Sequence, residues 1–425
     1  MRVTVVASGS RGDVQPMAAL ARGLAAAGYQ VTLAAPGNFE PMARGLGIAF
    51  HGFSVDVEEL LRSDLGRSWL GHSSHSPIRE LRLLTALVEQ YAAPMAAQTL
   101  DLAGTADLFI SGIMTVGAVS ALSRRDGSGH VCALLAPFHP TAEAASGLYA
   151  RRPGTSRANR WIGESVLWGT ARAFGSPGFQ LRGLIGEPAR YRRDYRQALR
   201  ETPTLLGVSP LVVPPAADWP DWVEVTGYWA LPAPADFVPD TELAAFLAAG
   251  EPPVYLGFGS MSTHDPVGTW RTLLAGLAGR RAVIHSGGAD LAEAAATAGV
   301  DERVLVVGDV PHEWLFPRMA AVVHHGGAGT TAAGLRSGVP SAAVPHIGDQ
   351  PYWGRRIAQL TGGPAPVPRH LLSPQSLAAL LAGLDRPSVR ARAAALGERL
   401  RAENGVQRAV AALRDFGFAA EFGAS

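Results

Sequence analysis

The sequence contains no lysine: all 37 basic residues are arginine. A lysine Schiff base is therefore excluded, and so is the Gly-Lys-Ser/Thr phosphate loop, whose ammonium reaches the outer phosphates of a nucleotide. Cysteine is nearly absent as well. Cys132 stands alone, which excludes an intrachain disulfide and a cysteine-based zinc cluster. Excess charge of one sign is missing too, because 37 basic groups face 36 acidic ones for a net charge of +1. That balance argues against a chain-wide electrostatic footprint for nucleic acid. Long apolar runs are lacking. The uncharged, apolar-rich stretch Leu108 to Ser123 is diluted by Ser, Gly and Thr and falls short of a membrane span. The apolar run after Met1-Arg2 is too short for a secretory leader, so a cytoplasmic protein is the expectation.

What is present is material for buried cores. Apolar residues make up 47% of 425 residues, enough for two domains. The opening alternates strand and helix: Val3 to Ala7 reads as a strand, about Val14 to Ala27 as a helix closed by Gly28, and Gln30 to Ala34 as a second strand. Leu108–Ser111 and Val131–Leu134 repeat the unit, with a long helix from about Pro77 to Ala103 between them. The pattern breaks in a proline-rich stretch without helical period. It restarts at Val254–Phe258, Ala282–His285, Val304–Val307, Ala321–His324 and Ser341–Val344. Strands alternating with helices predict parallel sheets covered on both faces. The simplest division is a first α/β domain over 1–215, a connector over 216–240, a second α/β domain over 241–400 and a helical tail over 401–425. A ligand cleft is expected outside the carboxyl ends of the strands, between the halves.

The strongest chemical signal is the run from His324 through Thr331, placed after a strand and before a helix. Small residues let the backbone approach a phosphate, and the free amides and positive dipole end of the helix then point at the anion. Thr330 and Thr331 add hydroxyl donors. A second glycine turn, Gly257-Phe258-Gly259-Ser260, ends the first strand of the same half. Gly348-Asp349-Gln350 pairs a carboxylate with an amide, which suits sugar hydroxyls, although a helix cap at Asp349 would also explain the aspartate. In the first half the informative turn is Gly9 through Pro16. It is not the dinucleotide fingerprint. Asp13 fits either a helix cap or a catalytic base, and one residue can do both only if one oxygen stays free for substrate.

These motifs carry a resemblance. The stretches Gly9–Pro16, Val310–Phe316, His325–Thr331 and Gly348–Gly354 make the chain similar to the family 1 glycosyltransferases of the GT-B fold. The branch it most resembles holds the sterol glucosyltransferases and glycopeptide-antibiotic glycosyltransferases. The resemblance implies two Rossmann-like, doubly wound parallel-sheet domains facing across a cleft, with the tail 401–425 returning to the first. It implies that His325, Gly327, Gly329 and Thr330, helped by Ser260, hold the diphosphate of a nucleotide sugar. Val310 and His312 would line the base, and Asp349 and Gln350 would hold sugar hydroxyls. Asp13, with Ser10 beside it, takes the place of the catalytic histidine of many relatives. No Asp-x-Asp motif follows a strand, which agrees with metal-independent, inverting transfer. No cofactor is implied, since the UDP- or dTDP-sugar is a co-substrate.

Phe138 and His139, after a strand, are candidates to face the acceptor, a hydrophobic small molecule; the other reading of His139 is a packed loop residue. The alanine-rich, all-arginine composition points to a GC-rich genome such as an actinobacterium, and so to a natural-product aglycone. A sterol or lipid acceptor is the alternative, and a non-catalytic activator of a separate transferase is an alternative of another class. His72 and His75, in a Ser/Gly-rich stretch, are assigned no role. Charge is uneven: eleven arginines against three acids lie between Arg151 and Arg200, and seven acids without a base between Leu211 and Ser260. The basic segment reads as solvated helix faces or as a contact with an anionic membrane surface or an anionic substrate.

Overall fold

The computed structural model describes residues 1–425 apart from 56–58, 61–62, 73–75, 235, 259–264, 288, 300 and 421–425. The chain divides into two units, one of 1–66, 81–231 and 403–425, the other of 67–80 and 232–402.

The first unit carries strands β1 (Arg2–Val6), β2 (Gln30–Pro36), β3 (Ala49–Phe53), β4 (Leu108–Ser111), β5 (Gly129–Leu134), β6 (Thr204–Leu206) and β7 (Val223–Val225). They form one sheet in the order β3-β2-β1-β4-β5-β6-β7, with every pairing parallel. Because successive side chains point to opposite faces, the buried run of β1 feeds two cores. Val3 and Val5 pack with Val14, Met17, Leu20 and Leu24 of the helix Arg11–Ala26. Val6 joins Phe109 and the other face, against Val88, Met95, Val119 and Leu122.

Several elements depart from expectation. The first helix begins at Arg11 rather than Val14, because Ser10 is its N-cap. β3, β6 and β7 were not foreseen. β6 and β7 have three residues each, too short for a periodicity to register. β7 also corrects the expected connector: residues 223–225 of 216–240 complete the first sheet instead of linking domains. A helix, Asp64–His72, occupies part of the Ser/Gly-rich stretch, and His75 lies outside the described residues.

The tail belongs to the first unit. Its helix Gly405–Asp415 buries Ala409, Val410 and Leu413 in the core shared with Arg11–Ala26. Gly405 permits this approach, since a Cβ there would sit 2.5 Å from the Tyr228 carbonyl oxygen. The Tyr29 hydroxyl donates to the Phe418 carbonyl at 2.7 Å, and Ser209 Oγ donates to Glu403 Oε1 at 2.7 Å.

The second unit holds β8 (Val254–Gly257), β9 (Ala282–His285), β10 (Val304–Val307), β11 (Ala321–His324) and β12 (Ser341–Ala343), in the order β10-β9-β8-β11-β12. All pairs are again parallel. One face is covered by Trp270, Leu273, Leu377 and Leu381, the other by Leu243, Leu315 and Phe316. In each sheet the strand order reverses once, between β1 and β4 and between β8 and β11. Ligands of open α/β sheets bind outside the carboxyl ends of the strands at such points.

Candidate active site

In the first unit the turn after β1 leads straight into the helix that presents Asp13. Gly9 holds a φ of 123°, and a Cβ on it would sit 2.7 Å from Asp13 Cγ, so both backbone and space demand glycine. The Ser10 N–H and Oγ–H both donate to Asp13 Oδ2, at 2.9 and 3.0 Å. Oδ1 accepts no hydrogen bond from the described residues. The condition for sharing cap and catalysis is met by this division of the two oxygens. Burial pushes the Asp13 carboxyl above its usual range, and the two Ser10 bonds pull the other way. Tyr91 is buried nearby. Desolvation and then the Asp13 charge raise its phenol well above its ordinary value.

In the second unit the carboxyl ends of β8, β9, β11 and β12 lie along one edge of the parallel sheet. At the end of β11, His324 is fully buried and its Nδ1 accepts the Gly326 N–H at 3.0 Å. That bond folds the chain back at Gly326, whose φ is 90° and whose added Cβ would lie 2.9 Å from the Gln350 carbonyl oxygen. Gly327 is then the N-cap of the helix Ala328–Ser337, with Gly329 and Thr330 in its first turn. The opening amides of a helix have no partner four residues back and favour an anion. Thr331, one residue further along this helix, is fully buried, and its Oγ1 meets no hydrogen-bond partner among the described residues.

Burial lowers the His325 pKa to about 4, against a smaller upward pull from the Gly257 carbonyl. Near pH 7 it is a neutral imidazole that donates one N–H. Ser260 lies outside the described residues. Phe258, before it, meets the His346 ring at 6.0 Å between centroids.

Asp349 and Gln350 stand beside this turn because β12 pairs with β11. Asp349 Oδ2 accepts the Trp353 indole N–H at 2.6 Å. Gln350 is buried, and its Oε1 accepts the amides of His346 and Ile347 at 2.7 and 3.1 Å. Its amide oxygen therefore shapes the loop, where a contact to sugar alone had been expected. His312 opens a short helix and stacks on Phe316 with ring centroids 4.3 Å apart, edge-on to Tyr255. Val310 packs on the same cluster.

His139 takes the packed position, one of its two readings. It is 6% exposed, its Nε2 sits 3.2 Å from Thr204 Oγ1, and its carbonyl accepts the Trp219 indole N–H at 3.1 Å. Burial lowers its pKa to about 4. The ring is a packed element of the first unit. With half-buried Phe138 it lines a cavity of about 10 Å³ that also touches Leu148, Tyr149 and Val166, room for one water.

Three residues escaped the sequence reading. Glu80 Oε1 accepts the Gly348 N–H at 2.8 Å across 268 residues, and burial raises its carboxyl, with the Asp349 charge adding to the rise. Arg369 reaches His346 Nε2 at 3.3 Å and Thr269 Oγ1 at 3.4 Å. His285, at the end of β9, lies 3.3 Å from Asp309 Oδ1. His285 closes a foreseen strand and was available to a reading by topology. Glu80 and Arg369 carry no local motif.

Two wholly parallel sheets, each with a glycine turn at its switch point, define the GT-B class. Comparison with known proteins agrees. Residues 3–122 match the glycosyltransferase family 28 N-terminal domain, and residues 301–414 match the erythromycin biosynthesis protein CIII-like C-terminal domain. The sterol 3-beta-glucosyltransferase UGT80B1 of Arabidopsis thaliana is 34% identical over 419 residues, 96% of this chain and 67% of that protein. The sterol 3-beta-glucosyltransferase of Yarrowia lipolytica is 30% identical over 99% of this chain and 29% of its own length. The chain thus spans about two thirds of that plant relative and under a third of the fungal one. Among solved structures, the glycosyltransferase VinC in complex with dTDP aligns with a TM-score of 0.62 at 22% identity, covering 98% of this chain and 99% of that one. The calicheamicin glycosyltransferase CalG4 aligns with a TM-score of 0.65 at 17% identity, over 100% and 99%. The chain belongs to the family 1 glycosyltransferases of the GT-B fold.

Proposed function

We propose that the protein moves a sugar from a nucleotide-diphosphate sugar, with UDP or dTDP as the nucleotide, to a hydroxyl of a hydrophobic small molecule, with inversion and with Asp13 as the base. The observation that carries this reading is the divided use of Asp13, one oxygen fixed by Ser10 and the other without a hydrogen bond from the described residues. In a single displacement the acceptor oxygen bonds to the anomeric carbon, the bond to the diphosphate breaks on the opposite face, and the hydroxyl proton passes to Oδ1. A carboxylate of ordinary pKa is a weak base toward an alcohol. Burial at Asp13 supports the role by bringing its basicity closer to the working pH.

The leaving diphosphate gains charge as the bond breaks. In this reading the amides at the start of Ala328–Ser337, the Thr330 hydroxyl and neutral His325 are aimed at it, a preorganised set of donors that is worth most in the transition state. Asp349 and the Gln350 side chain would take sugar hydroxyls, Val310 and His312 would flank the base, and Ser260 would add a phosphate donor. No metal takes part in this scheme.

For the acceptor, a polycyclic alcohol of the sterol type is favoured over a natural-product aglycone. Likeness to the sterol enzymes runs at 30–34% identity and extends through the first unit, whereas the solved structures, under 25% identical, bear on the fold.

The test pairs thermal-shift titration with UDP and dTDP against transfer assays using each nucleotide's glucose conjugate, a sterol and a mixed aglycone panel. The expected result is stabilisation by one nucleotide and a product of inverted anomeric configuration, unaffected by a chelator. Binding of neither nucleotide would remove the donor site. Retained configuration would remove the single-displacement scheme, and sterol inactivity beside aglycone turnover would reverse the choice of acceptor.

A further inference from the structure

The segment 151–200 holds eleven arginines and three acids, and the structure shows what those acids do. Glu164 pairs with Arg200, and Glu187 and Asp194 both pair with Arg182. The acids are thus neutralised within the segment. The guanidinium groups of Arg157, Arg192 and Arg196 meet no carboxylate among the described residues.

These arginines share a face with exposed aromatics. On the helix Arg157–Phe174, positions 157, 161, 164, 168 and 172 fall on one stripe. Trp161 is 77% and Trp168 43% exposed, an unusual state for the most costly side chain to leave in water. The helix Tyr191–Glu201 runs antiparallel beside it. Arg192 lies over the Trp168 ring at 4.8 Å, Arg200 reaches Glu164, and the Tyr191 hydroxyl donates to the Arg172 carbonyl at 3.1 Å. Phe179, 42% exposed, packs edge-on against Tyr191. Aromatic rings interleaved with uncompensated arginine form one continuous surface across the two helices. No described helix is long and apolar enough to cross a membrane.

We infer that this face docks on the surface of an anionic lipid bilayer, Trp161 and Trp168 entering the headgroup region while Arg157, Arg192 and Arg196 meet lipid phosphates and carboxylates. Tryptophan and arginine are the side chains suited to that boundary, one amphipathic and flat, the other charged on a long apolar stem. Charge complementarity favours a lipid surface over a neutral apolar partner, and the exposed indoles favour it over a polyanion without an apolar layer. The inference does not depend on which acceptor the enzyme uses.

The test is co-flotation of the full chain with vesicles of phosphatidylcholine containing about one-third phosphatidylserine, against vesicles of phosphatidylcholine alone. Binding is expected to the anionic vesicles and to fall sharply in 1 M salt, where the screening length is about 3 Å. Each arginine near such a surface contributes about a factor of five in partitioning. The double variant Arg192→Ser, Arg196→Ser should therefore bind about 25-fold more weakly, and Trp161→Ser should weaken binding with its circular dichroism and its transfer to a dissolved acceptor unchanged. Absence of binding to anionic vesicles overturns the proposal, as does equal binding to neutral ones. It also falls if Trp161→Ser keeps vesicle binding but raises KM for the dissolved acceptor, which would make the face an acceptor contact. Single-stranded oligonucleotide binding that matches vesicle binding and ignores Trp161 would point to a polyanion and overturn it as well.

Discussion

Replacing Asp13 with asparagine separates the two duties that the aspartate combines. The amide oxygen of the new side chain can accept both Ser10 bonds that Oδ2 now takes, at 2.9 and 3.0 Å, so the turn and the helix start survive. The other atom becomes an NH₂ group, which cannot take a proton from a hydroxyl. Loss of a positioned base costs about 10²–10⁴ in rate, or about 2.7–5.4 kcal/mol of transition-state stabilisation. The loss should fall on kcat, with KM for the nucleotide sugar unchanged.

Stability should move in the opposite direction. Burial raises the Asp13 pKa in the folded state, so between the unfolded value near 4 and that raised value the folded chain holds more protons. Stability contributed by Asp13 then falls as pH climbs through this window, and the cost of ionisation is fully present above it. Asparagine carries no such cost. At pH 7 the variant should melt at or above the wild-type temperature, and the difference should vanish at a pH below the unfolded value. The assays are initial rates over a donor titration and calorimetric melting at two pH values. Transfer by the variant within tenfold of wild type would refute Asp13 as the base. A marked drop in Tm at pH 7 would refute the claim that the substituted amide keeps the Ser10 bonds.

Four other outcomes follow from the same geometry. Ser10→Ala removes the side-chain bond that lowers the Asp13 pKa, so the acid limb of the kcat–pH profile should shift to higher pH, checked by rates across that limb; an unmoved limb separates Asp13 from it. Gly326→Ala forces a side chain into a φ of 90° and to 2.9 Å from the Gln350 carbonyl, and nucleotide affinity measured calorimetrically should drop by at least tenfold, about 1.4 kcal/mol. Gly405→Ala presses a methyl to 2.5 Å from the Tyr228 carbonyl and should destabilise the first unit by about 1–3 kcal/mol, read by urea unfolding. His139, held at a pKa of about 4 against 6.5 when unfolded, binds fewer protons folded than unfolded between those values. Its contribution is complete above 6.5 and is lost as pH falls toward 4, so His139→Gln should flatten the decline in Tm across that range.

Much of the second half was legible in the sequence because its elements are local. A β-branched run followed by Gly-Gly-x-Gly and a helix can be read within ten residues, and β8 through β12 all appeared near their observed places. Asp13 was legible as a candidate for the same reason, since its partner Ser10 is three residues away. Other features depend on neighbours that no window contains. The sequence offers Gln350 to a sugar, but its Oε1 is occupied by two amides of a loop whose course is set after β12. Glu80 reaches Gly348 from 268 residues away.

The sequence by itself determined the chemistry on offer and the chemistry forbidden. Without lysine, an anion site must be made of amides, hydroxyls, imidazole and arginine. A reversal at Gly326 is written into a residue that alone tolerates a positive φ beside a packed carbonyl. Only the tertiary structure decided which of those groups remain available. It divided the two oxygens of Asp13, because the helix starts at Arg11 and turns Oδ2 toward Ser10. It committed His139 to Thr204 and Trp219, because β6 brings Thr204 alongside β5. It left Trp161 in water beside uncompensated arginines, because every acid of that segment is paired within it. Local sequence sets what a side chain can do, and packing, through desolvation and the hydrogen bonds already taken, sets what it is free to do.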